Sequence, residues 1–539
     1  MRIALLHGWS LSGSGSNEYT HYLARSLVAA GHQVHVLCRQ PNPEKIELAD
    51  RIFSWDGDGQ ARQLRERAAQ GAGSCTLHQL PHGDVRPVYV TVKQRPGPLK
   101  SFTFMTDDEI EAYQRLYTLT VAAVLAAHPV DILHANHLVM QPTIAAAACA
   151  PLGIPFVIYP HGSAIEYTVR PDPRFQLMAR DAIERSAGLI IGSHEVKQRL
   201  RRLFPELKTQ IDAKTEIVGV GVDTSLFEPV ARAARQRSIA RLVALQPQGG
   251  KSPAQLQELH TSLDRGDLEA VGRYEQAYAR IQPDQDCVAH LQRIPWQQGK
   301  ILLFVGALTA GKGLHRVIAA MPRLLSRVPD AHLVIVGSGA HREILEALVH
   351  ALSSSDDSLL QALVARGHDL VEGHLQGPWR SVASFLSQDE NRALLRVHGR
   401  QLADHVHFLG RLDHALLRHL FPCADVAVFP SIVPEAYPLV LMESLANGVL
   451  PAVSYFSGFA EGLDALTDEL GEETVAAMRL PLEPEAVVGC IADRLATLLS
   501  MVESEALRSR LRSIAVERYD WRVRAQQMVS AYRAVLERC

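Results

Sequence analysis

The 539-residue chain contains no run approaching the roughly 18 apolar residues that a membrane-spanning helix needs. Its seven cysteines (Cys38, Cys75, Cys149, Cys287, Cys423, Cys490, Cys539) are scattered and never spaced C-x-x-C. That pattern suggests neither a zinc site nor a disulfide framework, and it suits a reducing cytoplasm. No charge sign dominates: 55 Lys and Arg stand against 58 Asp and Glu, a net charge of -3, which argues against a general nucleic-acid binder. Two phosphate-binding signatures are also missing. The order G-x4-G-K-[ST] does not occur, and Glu18 stands where a dinucleotide fingerprint beginning Gly13, Gly15 would need its third glycine. The apolar start Ile3–His7 is too short for a signal peptide and reads as a buried strand. A cytoplasmic protein, soluble or peripheral to a membrane, is expected.

The composition, 47% hydrophobic and 21% charged, is that of a soluble enzyme, and the length allows two or more cores. Short apolar runs alternate with helical periods, the pattern of a parallel sheet covered by helices. Strands are expected at Ile3–His7, Val34–Cys38, Asp131–His134, Phe156–Tyr159, Leu189–Gly192 and Glu216–Val220. A second series is expected at Ile301–Gly306, His332–Gly337, Val406–Leu409, Val426–Phe429 and Pro451–Ser454. The expected class is therefore α/β, with two doubly wound Rossmann-like domains facing across a cleft and ligand at the carboxyl ends of their strands. The join falls near Gly219–Pro229, giving domains 1–225 and 226–518, with an amphipathic helix over 519–539. Residues 231–298, with a helix expected around Leu268–Ile281, and residues 345–404 are long insertions without an assignable motif.

Several motifs fall at strand ends. Glu435 and Glu443 lie eight positions apart in Ser431–Gly448; Pro438 fits the first position of a helix that Gly448 stops. The amides of Leu439 and Val440 would then face an anion at the helix start, although paired glutamates are also common on solvated helices. The small-residue loop with Gly13 and Gly15 lets backbone approach a ligand, or simply serves strand–helix packing. His161, followed by Gly162, ends the strand Phe156–Tyr159, one of 24 histidines; His134 and His137 end another strand and are weaker candidates for the acceptor side. Lys312 lies between Gly311 and Gly313 at a helix start, a seat for a diphosphate. Gly337 and Leu409 lie in loops after two further strands. Lys197, Arg199, Arg201 and Arg202 form a basic cluster that could face an anionic membrane surface, with a solvated helix face the plainer reading.

Taken together, these elements resemble the retaining glycosyltransferases of the GT-B fold, in particular the family 4 type that includes glycogen-synthase-like and mannosyltransferase-like enzymes. The match comprises the glycine loop, His161-Gly162, the link Gly221-Val222-Asp223 to Pro229, Gly311-Lys312-Gly313 and the E-x7-E pair. It spans roughly residues 1–229 and 300–539. The resemblance implies that the last helix crosses back onto the N-terminal domain. It assigns Glu435 to the donor sugar, Glu443 to the ribose, Lys312 to the phosphates and His161 to the sugar, with Gly13 and Gly15 beside the leaving phosphate and Gly337 and Leu409 flanking the base. Ala307 stands where the family carries a second phosphate arginine, Ala436-Tyr437-Pro438 replaces Gly-Phe-Gly, and Ser457 replaces a glycine. The implied function is transfer of a sugar from a nucleotide sugar to a saccharide, lipid-linked or small-molecule acceptor, with retention of configuration. No Asp-x-Asp element is placed to hold a metal, so neither metal nor cofactor is expected. The alternatives are a nucleotide-sugar epimerase, a phosphorylase on the same fold, or a sugar-nucleotide-binding regulator whose catalysis has lapsed.

Overall fold

The computed structural model describes residues 1–69, 71–89, 97–275, 282–371, 373 and 375–539. They fall into two compact units. One comprises Met1–Gly221, Ala436–Leu439 and Tyr519–Cys539, the other Val222–Glu435 and Val440–Arg518.

The first unit is built on a nine-stranded sheet. Its centre is Arg2–Leu6, paired in parallel with Gln33–Cys38 on one side and Ile132–Asn136 on the other. Phe156–Tyr159, Gly188–Ile191 and Thr215–Ile217 extend one wing. Ile3, Ala4 and Leu5 are fully buried, as a strand covered by helices on both faces requires. The other wing departs from expectation. Ser74–Gln79 pairs in parallel with Gln33–Cys38, and Arg51–Trp55 and Ala61–Glu66 add an antiparallel edge. The helix Trp521–Arg538 belongs to this unit, and His134 Nδ1 lies 2.8 Å from Tyr532 Oη on it.

The second unit carries a six-stranded parallel sheet. Its order is Val406–Phe408, Ala331–Val336, Lys300–Val305, Val426–Phe429, Leu450–Ser454, Arg479–Leu480. The chain runs outward in one direction from Lys300–Val305 and then returns to its other side at Val426–Phe429. This is the reversal at which doubly wound sheets open a crevice for ligands.

Both insertions are helical parts of this unit. Arg235–Ala244, Pro253–Asp264 and Cys287–Arg293 form in the first, and Asp357–Arg366, Arg380–Ser387 and Asp389–His398 in the second. Of the helix expected at Leu268–Ile281, Ala270–Arg273 is helical, and residues 276–281 lie outside the described residues. The first insertion is anchored by Arg235, fully buried, whose guanidinium donates to Asp425 at 2.7 and 3.1 Å. Lys251 bonds both Glu343, at 3.1 Å, and Glu346 on the helix Arg342–Ser354. Among the described residues no helix is long and apolar enough to cross a membrane.

Candidate functional site

In the second unit, two loops leave the sheet at the reversal. After Lys300–Val305 the chain passes Ala307 and closes a single 3-10 turn, Ala310–Lys312, before the helix Leu314–Leu325. Gly313 makes the corner with φ of +66°, and a Cβ there would stand 2.1 Å from the carbonyl oxygen of Pro430. Only glycine permits both the left-handed backbone and this approach. Ile432 N–H donates to the Gly311 carbonyl at 2.8 Å, so the loop after Phe429 is stitched to the lysine loop.

The stitching brings Lys312 Nζ to 2.6 Å from Glu435 Oε1. Ser431 Oγ donates to the same oxygen at 2.9 Å. Glu435 N–H donates to Ser457 Oγ at 2.8 Å, while the Ser457 hydroxyl returns a bond to the Glu435 carbonyl at 2.9 Å. Ser457 thus clamps the backbone of Glu435. Both charged side chains stay partly open, Glu435 at 18% and Lys312 at 31% exposure, so each can exchange the other for a ligand.

The helix Leu439–Ala446 follows, with Pro438 immediately before it rather than at its first residue. Glu443, a turn inside, is buried, and its Oε1 lies 3.2 Å from His414 Nε2. His414 opens the helix His414–Leu420 and has Phe227 edge-on at 5.3 Å. Gly337 N–H donates to the Gly410 carbonyl at 2.8 Å, and a Cβ at Gly337 would stand 1.9 Å from the Gly306 oxygen. Leu409 is fully buried; its N–H donates to Ile335 and its carbonyl accepts from Asp284. The Leu409 carbonyl thereby holds the first insertion, and Gly337 and Leu409 follow Ala331–Val336 and Val406–Phe408, the two strands on one side of Lys300–Val305.

The remaining expected residues lie in the first unit. Gly13, at φ of +110°, and Gly15 flank Ser14, which caps the helix Gly15–Ala29 by accepting from Asn17 N–H. Glu18 accepts from Gly13 N–H at 3.3 Å. His7 Nε2 and Asn17 Oδ1 are 2.9 Å apart. His161 Nε2 donates to Asn136 Oδ1 at 2.8 Å, which leaves Nδ1 as the acceptor in the neutral ring. Burial, with the neighbouring His7 and His134, holds the His161 pKa well below the usual histidine value. His137 is buried at φ of +70° with neither ring nitrogen hydrogen-bonded.

The basic cluster is locally neutralised. Lys197 and Arg201 face Asp212 at 3.3 and 3.6 Å, Arg199 faces Glu166 at 3.1 Å as well as Glu195, and Arg202 lies 3.5 Å from Glu195. Asp284 and Asp286, spaced as Asp-x-Asp, are tied to Arg342 at 2.6 Å and His290 at 3.3 Å. Among the described residues no group of three or more His, Cys, Asp or Glu is placed to hold a metal ion. Sequence reasoning missed His414 and Ser431. His414 carried one usable signal, its position just after the cap Asp413 at a helix start.

Two doubly wound sheets, one parallel and one parallel but for its edge strand, each with its own reversal, and a lysine–glutamate pair at one of them define a doubly wound protein of the nucleotide-binding kind. Comparison with known proteins narrows the class. The family described as Glycosyl transferase 4-like domain matches residues 14–210, and that described as Glycosyl transferases group 1 matches 291–365 and 382–466. The chain belongs to the GT-B glycosyltransferases of the family 4 type. It is 27% identical over 244 residues to a phosphatidyl-myo-inositol mannosyltransferase of Mycobacterium tuberculosis, a match covering 44% of this chain and 48% of that protein. The chain therefore matches about half the length of this curated relative. Among solved structures, sucrose-phosphate synthase from Thermosynechococcus elongatus aligns at a TM-score of 0.56 and 17% identity, covering 100% of this chain and 99% of that one. The catalytic domain of starch synthase IV from Arabidopsis thaliana, bound to ADP and acarbose, aligns at 0.58 and 13%, with the same coverages. At these identities the structural likeness establishes the fold.

Proposed function

We propose that this protein transfers a sugar from a nucleotide sugar to an acceptor with retention of anomeric configuration, without a metal. The observation that carries the reading is the Lys312–Glu435 pair, 2.6 Å apart at the sheet reversal and partly open to ligand. The two charges satisfy each other. A bound donor inserts its diphosphate at Lys312, releasing Glu435 to accept from sugar hydroxyls. As the glycosidic bond breaks, negative charge builds on the diphosphate and positive charge on the anomeric carbon. Lys312 and the helix start at Leu439–Val440 stabilise the first, and the Glu435 carboxylate stabilises the second. Glu443, held by His414, takes the ribose hydroxyls. His161, neutral and fixed by Asn136, keeps Nδ1 as an acceptor. Supporting the donor class, related folds have been solved with UDP-glucose and with ADP. The phosphatidyl-myo-inositol mannosyltransferase relative supports a lipid-linked acceptor.

Titrating the protein with UDP-, GDP- and ADP-sugars while following nucleotide release tests this reading. One donor is expected to bind and to release nucleotide in the presence of acceptor. No binding by any of them refutes it. Ala307 favours a second reading, a binder without turnover, whose signature is donor binding with no release at all.

A further inference from the structure

Three strands at the centre of the first unit's sheet, Ile132–Asn136, Arg2–Leu6 and Gln33–Cys38, are neighbours in that order. The chain works outward from Arg2–Leu6 through Gln33–Cys38 and returns on the other side at Ile132–Asn136. The reversal of this sheet therefore lies at the ends of these strands. The residues that follow them are His137, His7 and Arg39, all buried.

Printed side by side in the fold, these residues also touch a shared set of neighbours. Arg39 Nε donates to the Gly8 carbonyl at 2.8 Å, and the Trp9 ring lies 5.0 Å from the guanidinium. The His7 and His137 rings stack at 5.6 Å, and Tyr89 lies against His137 at 4.2 Å. His7 and Tyr89 both sense the charge of Arg39.

Other buried arginines are neutralised: Arg235 pairs with Asp425, Arg342 with Asp284, and Arg199 with Glu166 and Glu195. Arg39 has no carboxylate partner among the described residues, and its Nη2 is enclosed without a hydrogen bond. Both His137 nitrogens are unpaired as well. Burial beside His161 and His7 keeps that ring neutral, with one N–H to donate. His7 differs. Asn17 Nδ2 gives its hydrogens to Ser10 and Ser12, so Asn17 Oδ1 accepts from His7 Nε2 and His7 Nδ1 is left as an acceptor. A buried cation and an idle donor beside it cost free energy that a bound anion recovers. The free donors also select the anion. Arg39 Nε is committed to Gly8 and Nη1 to Tyr117 Oη at 3.3 Å, so no two-pronged face remains for a planar carboxylate. A phosphate can take single bonds from separate donors.

We propose that the ends of these three strands form a phosphate subsite for the acceptor. Arg39 Nη2 and the His137 ring donate to the phosphate, and His7 Nδ1 accepts from a neighbouring hydroxyl. The inference rests on the transfer reading above for naming the carrier of the phosphate as the acceptor.

Calorimetric titration of the full chain with inorganic phosphate, and with UDP, GDP and ADP, tests it. The wild type is expected to bind phosphate, and R39Q to bind it about tenfold or more weakly with nucleotide affinity unchanged. K312A is expected to show the reverse, with phosphate affinity kept and nucleotide affinity lowered. No phosphate binding by the wild type, equal affinity in folded R39Q, or a loss in K312A instead overturns the inference. Should glutamine compromise folding, R39K serves. Phosphate affinity weakened about threefold or more with nucleotide affinity unchanged supports the subsite, and unchanged phosphate affinity contradicts it. The carrier is read from two pairs of probes: glucose 6-phosphate against glucose, and phosphatidylcholine vesicles with and without phosphatidylinositol. Preference for the first of either pair supports the subsite, as a free sugar phosphate or as a lipid headgroup, and equal binding within both pairs contradicts it. No nucleotide binding by the wild type refutes the donor reading, and the acceptor role with it.

Discussion

At the scale of single residues, the site depends on pairs that sequence distance hides. Lys312 and Glu435 are 123 positions apart, and each was legible only as half of a motif. Their direct contact was not, because it depends on the loop after Phe429 being bonded to Gly311. Lys312→Ala is expected to lower kcat about 10²-fold, since it removes a charge aimed at the leaving diphosphate. Single-turnover assays check this, and an effect on KM alone contradicts the leaving-group role. His414→Ala strips the partner from the buried Glu443 carboxylate. About tenfold weaker nucleotide binding is expected, read by calorimetry. Unchanged affinity would detach Glu443 from the ribose. Ser431 was not legible, because a lone serine carries no periodicity, and His414 offered only its place after the cap Asp413.

At the scale of elements, strands with continuous apolar runs were readable and those without were not. Phe156–Tyr159 and Val426–Phe429 match expectation residue for residue. Ser74–Gln79 hid because Thr76 and His78 are buried polar residues that break its apolar pattern. Ala61–Glu66 hid because it is an exposed edge strand of charged and polar residues, the composition that protects an edge. The helices of the second insertion carry no chemical motif, so the segment read only as length. The corner at Gly313 was readable as a helix start, but its contact with Pro430 needed coordinates. Gly313→Ala is expected to lower stability by about 1–3 kcal/mol, through left-handed strain and the displaced Pro430 carbonyl. The urea midpoint measures it, and a variant as stable as wild type contradicts the described loop.

At the scale of the whole molecule, the fold buries several neutral imidazoles. Burial lowers His7, His35, His332 and His368 to about 4 from 6.5. Above pH 6.5 both folded and unfolded chains hold them neutral. Between 6.5 and about 4 the unfolded chain binds protons first, so stability falls as pH drops; below that the slope disappears. The fully buried His7 forfeits on the order of 3 kcal/mol across the window, and the more open His332 and His368 less, because solvent screens them. Urea midpoints are therefore expected to decline steeply between pH 6.5 and 5, and midpoints independent of pH there contradict the buried neutral rings. The doubly wound class was legible at this scale because two series of strands repeat the same alternation. The placement of the loops at the reversal followed from strand order, which sequence does not specify.

The central claim is that Glu435 and Lys312 form a donor site for sugar transfer. Its most direct test is product analysis by mass spectrometry and NMR, with the nucleotide sugar that the wild type accepts, for wild type and Glu435→Ala. The account predicts a glycosylated product that keeps the donor's anomeric configuration, and a rate lower by orders of magnitude in the folded variant. Transfer by Glu435→Ala at the wild-type rate, or a product of inverted configuration, would contradict it.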